Sequence, residues 1–179
     1  MIQSFGSLRG ITCASPTALA DAIRGGNCNE DMLVAAIIVA RDINMLAARE
    51  ALYGEPTEPG NPRLRQYLVR RLGPRHEECV LVLFLTAEGL FIAEDFYAGA
   101  HCNTARLPLR RTVRRAFDLD ARRLVIAHNH PSGNPEPSAA DIRATRHFGE
   151  IVGALDLELD DHVVIGWNRT VSFRERGLI

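Results

Sequence analysis

The chain is predicted to fold as an α/β domain, a mixed sheet flanked by helices, with a small helical segment ahead of it. Two short apolar runs, Cys79–Leu85 and residues 124–127, are continuous and branched enough to be buried strands. Helical patterns over 109–119 and 139–155 fall between the strand signals. After residue 79 the order is therefore strand, strand, helix, strand, helix, strand, strand, which puts helices against a mixed sheet.

Residues 1–54 read as helical and polar-punctuated. Ser15-Pro16 is a cap followed by Pro at the first helical position, and a short helix over 18–23 ends at Gly25-Gly26. A second helix is expected over 29–52, with Leu33, Ile37, Ala40, Ile43, Ala47 and Ala51 near one face. Residues 55–62, in a stretch dense in Pro and Gly, read as a linker.

The main domain is expected over 63–179. It opens with an amphipathic helix, 63–72, that turns Leu64, Tyr67, Leu68 and Leu72 inward and Arg65, Arg70 and Arg71 outward as a solvated face. Cys79–Leu85 is the first strand, Ala87-Glu88-Gly89 a turn, and 90–97 its hairpin partner. The helix over 109–119 carries Arg110, Arg111, Arg114 and Arg115, and a strand over 123–127 follows. The helix over 139–155 keeps Ile142, Ile151 and Val152 among its apolar positions, and strands over 157–165 and 170–173 close the chain.

The chemistry concentrates at the end of the 123–127 strand. In extended backbone His128 and His130 point the same way, so two imidazoles aim at one place. The run from Pro131 to Pro137 can be neither strand nor helix and must be a stiff loop. Ser138 stands at the N-cap of the next helix, and Asp141 falls in its first turn, from which its carboxylate can return to the two rings. Two neutral nitrogens and one carboxylate oxygen, with a fourth position for water, are the ligand set of a catalytic zinc site. Taken separately, His-x-His also suits an ordinary surface or core pair, and Ser-x-x-Asp an N-cap with an acid on the helix dipole.

Composition bounds the rest. With 21 Lys+Arg against 22 Asp+Glu, no global field recruits nucleic acid or an acidic membrane. Every one of those basic residues is Arg, which reads as genomic bias. Cys13, Cys28, Cys79 and Cys102 form no C-x-x-C pair, and with neither a signal peptide nor a run of roughly 20 apolar residues a cytoplasmic protein with free thiols and no membrane association is expected.

Joined together, His128-x-His130-x7-Ser138-x2-Asp141 reproduces the pattern of the JAMM (MPN-domain) metallohydrolases. The segment from about Glu78 to Ile179, with HNHPSGNPEPS, DHVVIG and VSFRERGLI, resembles the JAMM domain of the bacterial RadC family. The resemblance implies a three-layer, deaminase-like fold, one Zn2+ per chain on His128, His130 and Asp141, and a peptide or isopeptide substrate. It also implies a general base, Glu78, at the entrance to the first strand, with Glu77 as the register-slip alternative. Ser138 acquires a second implied role, as a donor to the transition-state oxyanion. Asn129 between the histidines marks the RadC branch. His162 matches a family position and is either a satisfied core residue or a support for the metal ligands; His76, His101 and His147 read as structural.

The region SLRGITCASPTALADAI resembles the opening of a helix-hairpin-helix module, but Arg24-Gly25-Gly26-Asn27-Cys28-Asn29 stands where that module has a Gly-hydrophobic-Gly hairpin. It reads as a shortened module. The leading function is thus a zinc metallopeptidase or isopeptidase; the rival is a non-catalytic or weakly DNA-associated RadC-like module. A zinc nucleobase deaminase would need His-x-Glu and Pro-Cys-x-x-Cys, which are absent. A non-haem iron oxygenase needs a facial set with several open positions.

Overall fold

The computed structural model describes residues 2–7, 10–11, 14–24, 29–58, 60–98 and 108–179. Gly25 to Cys28, which stand where a helix-hairpin-helix module has its hairpin, the segment with His101 and Cys102, and Cys13 lie outside the described residues. Two compact units are present, Met1–Glu50 and Ala51–Ile179.

In the first unit a single helical turn, Ile2–Phe5, precedes α1 (Pro16–Ile23) and α2 (Glu30–Glu50). Ser15 caps α1, its Oγ accepting from Ala18 N–H at 3.1 Å. On α2 the sheltered positions include Leu33, Ile37, Arg41 and Met45, while Ile43, expected on that face, is 59 % exposed. A stripe stepping by four from Leu33 drifts away from Ile43 by the end of the helix, because 3.6 residues make a turn.

The second unit contains α3 (Pro62–Leu72), β1 (Cys79–Leu85), β2 (Phe91–Ala98), α4 (Leu109–Asp118), β3 (Arg123–Asn129), α5 (Ala139–Gly153), β4 (Glu158–Gly166) and β5 (Arg169–Ser172). The sheet order is β2-β1-β3-β4-β5. Only β3 and β4 pair in parallel, with α5 as their crossover; the other neighbours are antiparallel. The expected mixed sheet between helices is the fold observed.

Alternation along the strands builds two cores. Val80, Val82, Phe84, Leu124 and Ile126 pack with Ala116 of α4 and with Phe148 and Val152 of α5. On the other face α3 lies against β3, β4 and β5 through its buried Leu64, Tyr67, Leu68 and Leu72. The Pro- and Gly-rich stretch before α3 falls within this unit; Thr57 is buried and donates its N–H to the Gly89 carbonyl at 2.8 Å. Arg71, expected on a solvated face, packs instead on β2, its guanidinium 4.5 Å from the Phe96 ring centre, and Arg111 of α4 lies 5.5 Å from that of Tyr97. Both stack on the rings as cations on π faces do.

The late sequence motifs are structural staples. Asp161, buried, accepts from the backbone N–H of His162 and Arg174 through Oδ1 and from Ser172 Oγ through Oδ2. Arg123 Nε donates to both oxygens of the buried Asp160 at 2.9 Å. Cys79, the one cysteine among the described residues, is buried at the start of β1. Among the described residues no helix is long and apolar enough to cross a membrane.

Candidate metal centre

The register Val80↔His128 sets the start of β1 beside the end of β3. His128 is the penultimate residue of β3, one step beyond the expected strand end, and is 5 % exposed. His130 leaves the strand but stays anchored, its N–H donating to the Ile165 carbonyl at 2.9 Å. The two rings meet with Nε2 atoms 3.0 Å apart.

The loop that follows is held from several sides. Gly133 N–H donates to the His130 carbonyl at 2.9 Å, the Trp167 indole N–H donates to Pro131 O at 3.2 Å, and Arg169 donates to Gly133 O at 3.1 Å. Gly133 takes φ +83°, open to glycine at little cost. The loop delivers the Asn134 carbonyl to His130 Nδ1 at 2.8 Å. A carbonyl only accepts, so His130 carries its proton on Nδ1 and turns a bare Nε2 toward the cluster.

Ser138 caps α5 as expected. Its Oγ accepts from Asp141 N–H at 3.1 Å, while Asp141 Oδ2 accepts from both Ser138 N–H and Ser138 Oγ–H at 2.7 Å, a reciprocal capping box. The Ser138 hydroxyl proton is thus engaged by Asp141. The same carboxylate reaches the histidines, with Oδ1 3.7 Å from His128 Nε2 and Oδ2 3.6 Å from His130 Nε2. Both sequence readings of Ser-x-x-Asp, the cap and the return of the carboxylate, hold at once.

Glu78 joins from the start of β1. Its Oε1 lies 3.9 Å from His130 Nε2, and the ligand-capable atoms of Glu78, His128 and His130 all fall within 4.8 Å of one another. Glu77 is exposed and takes no part in this group.

Burial sets the charge states. It pushes His128 down to about 4, so the ring is neutral near pH 7. Burial alone would raise Asp141, but hydrogen bonds from Ser138 and the neighbouring imidazoles outweigh it and hold the carboxylate below its ordinary range. Glu78 is raised, by burial first, with the Asp141 charge adding and His130 opposing.

Of the predicted site residues, Glu78, His128, His130, Ser138 and Asp141 all come together. Two contributors were not read from the sequence. Asn129, noted only as a branch marker, is buried, and its side chain binds the backbone around Glu78. Thr145, fully buried on α5, bridges His162 to the Asp141 carbonyl. His76 and His147 are exposed.

Residues 60–178 match the family model for the RadC-like JAB domain. The chain belongs to the RadC family. Similar proteins include a UPF0758 protein of Burkholderia ambifaria, 38 % identical over 99 % of this chain and 67 % of its own length. A UPF0758 protein of Rhodobacter capsulatus is 33 % identical over 100 % of this chain and 82 % of its own. One of Leptothrix cholodnii is 35 % identical over 100 % and 79 %. The RadC match covers the whole cluster, from Glu78 to Asp141, together with His162.

Proposed function

We propose that this RadC-family chain is a zinc-dependent hydrolase of the JAMM type, cleaving an amide or isopeptide bond in a peptide substrate and holding one Zn2+ through His128, His130 and Asp141. The observation that carries the reading is the convergence of two imidazole Nε2 atoms, 3.0 Å apart, on a carboxylate whose Oδ1 lies 3.7 Å from His128 Nε2 and whose Oδ2 lies 3.6 Å from His130 Nε2. Tetrahedral zinc with bonds of about 2.0–2.1 Å spaces its ligand atoms roughly 3.3 Å apart. The donor set fits that ion: one neutral buried imidazole, a second with its Nε2 lone pair turned inward, and an ionised carboxylate. Asp141 Oδ2 already accepts two hydrogen bonds, which leaves Oδ1 the more open oxygen.

When bound, zinc lowers the pKa of water to about 7 and polarises a carbonyl oxygen. The chain's own residues do the rest. Glu78 is near the ligands but half-exposed, and its raised pKa keeps it basic enough to take a proton from the attacking water and acidic enough to pass it to the leaving nitrogen. Ser138 fixes Asp141; re-aimed at a developing oxyanion, its hydroxyl would contribute about 3 kcal/mol to the transition state.

The deciding experiment is elemental analysis of protein prepared without added metal or tag leaching, wild type beside His128→Ala, followed by a peptidase and isopeptidase screen. About one zinc per chain, lost in the variant, is the expected result. No zinc in either protein, and none taken up on titration, would end this reading.

A further inference from the structure

Beneath the cluster runs a buried chain of hydrogen-bonding groups. The Asp141 carbonyl is 2.7 Å from Thr145 Oγ1, and Thr145 Oγ1 is 2.5 Å from His162 Nδ1. His162 Nε2 is 2.8 Å from His128 Nδ1, and His128 Nε2 is 3.0 Å from His130 Nε2. Thr145 and His162 are 0 % and 2 % exposed, and His162 stacks on Phe173 at 4.7 Å with 19° between the rings, so it has no room to flip out.

Each neutral imidazole has one donor and one acceptor nitrogen, and a hydroxyl has one proton to give. With the His130 proton fixed on Nδ1 by Asn134, the chain has two complete assignments. In one, Thr145 donates to His162 Nδ1, His162 Nε2–H donates to His128 Nδ1, and His128 Nε2–H donates to the bare His130 Nε2. In the other, His128 Nδ1–H donates to His162 Nε2, His162 Nδ1–H donates to Thr145 Oγ1, and Thr145 donates to the Asp141 carbonyl. Both carry the same number of protons and leave every ring neutral; passing from the first to the second releases the His128 Nε2 proton to water and takes one proton from water at the Thr145–His162 end, during a transient opening of that buried end. They differ at one place that matters: only the second leaves a lone pair on His128 Nε2.

We propose that His128, His162 and Thr145 form a tautomer switch set by the metal, in which metal binding turns both rings from Nε2–H to Nδ1–H and swings the Thr145 hydroxyl from His162 to the Asp141 carbonyl. His162 and Thr145 are positioning residues in this scheme; they act through His128. The inference rests on the metal reading above and deepens it. Without metal the chain satisfies itself by bonding His128 to His130, so the ligands stay together when the site is empty. With metal the same side chains supply His128 with an acceptor behind its Nδ1–H, the arrangement that orients a ligating histidine and raises its basicity.

The test is a long-range 1H–15N correlation spectrum of the full chain labelled at histidine, recorded metal-free and after one equivalent of Zn2+. The expected result is His128 and His162 as Nε2–H tautomers without zinc and Nδ1–H tautomers with it. Zinc binding at one equivalent with an unchanged His162 tautomer would overturn the switch and leave the metal reading standing; no zinc binding would overturn both. A chelator-competition titration gives a second readout. His162→Leu removes the acceptor behind His128 and should weaken zinc binding about 10–100-fold, while His162→Gln, whose carbonyl can accept, should recover most of that. Equal zinc affinity in wild type and His162→Leu would also overturn the proposal.

Discussion

Asn129 grips the backbone on both sides of Glu78. Its Oδ1 accepts from the Cys79 N–H at 2.8 Å, and its Nδ2 donates to the Glu77 carbonyl at 3.0 Å and the Arg75 carbonyl at 3.4 Å. The residue between the two histidines thus ties the proposed base to the strand that carries His128 and leads into His130. In Asn129→Ala the proposed metal ligands remain and the bracket is lost. Zinc content should stay near that of wild type, stability should fall by about 1–3 kcal/mol, and turnover should drop by at least about tenfold. Metal analysis, thermal melts and a kinetic assay on one preparation check this; wild-type turnover would remove Asn129 from the mechanism.

Glu78 itself separates binding from chemistry. Glu78→Gln keeps the shape and removes the base, so zinc should be retained while turnover falls about 10²–10⁴-fold. Burial raises the Glu78 pKa. The ionised form is the one that accepts a proton, so kcat/KM should show an acid limb, activity being lost as pH falls through the Glu78 pKa. A Glu78→Gln enzyme as active as wild type would exclude Glu78 as the base.

The metal-free protein should be sensitive to acid in a defined window. His128 titrates at about 4 in the fold against 6.5 when unperturbed, and His162 is lowered well below 6.5, both first through burial. A histidine depressed in the fold binds its proton more readily when unfolded, so its contribution is full above 6.5 and is lost progressively toward 4. At about 1.36 kcal/mol per pH unit, His128 alone removes about 3 kcal/mol over that range. Melting temperatures of chelated protein across it should fall steadily; a flat profile would contradict the buried neutral state.

What the sequence made legible was local. Apolar runs marked β1 and β3, a period of two aimed His128 and His130 together, and Ser138 with Asp141 announced both a cap and a carboxylate. The support for those groups was not legible, because it joins residues far apart in the chain. Asn129 meets Glu77 only through the β1–β3 pairing, and Thr145 meets His162 only because α5 crosses back over the sheet to start β4. Thr145 carried no motif, and Ile142 and Ile151, read as apolar positions of that helix, are only partly buried beside the buried Thr145, Phe148 and Val152. Periodicity finds the face of a helix; it does not say which polar residue on that face will be given a partner.

The loop after His130 supplies a test of how much of the site is held from outside it. A Cβ at Gly133 would lie 2.4 Å from Trp167 Cε2 and 2.5 Å from Cδ2, and the φ of +83° is itself unfavourable for an L side chain. In Gly133→Ala the indole must leave, breaking its hydrogen bond to Pro131 O. The adjoining Asn134 carbonyl, which fixes the His130 tautomer, moves with the loop. The left-handed backbone alone costs about 1–2 kcal/mol, and displacement of the ring adds to it. Trp167 is the chain's single tryptophan and is half-exposed already. Its emission should therefore shift further to the red in the variant, while zinc affinity falls by about tenfold or more as His130 loses its fixed partner. An unshifted spectrum with unchanged zinc affinity would mean that the loop accommodates the methyl group without disturbing His130, and that the ligand's orientation is set by β3 alone.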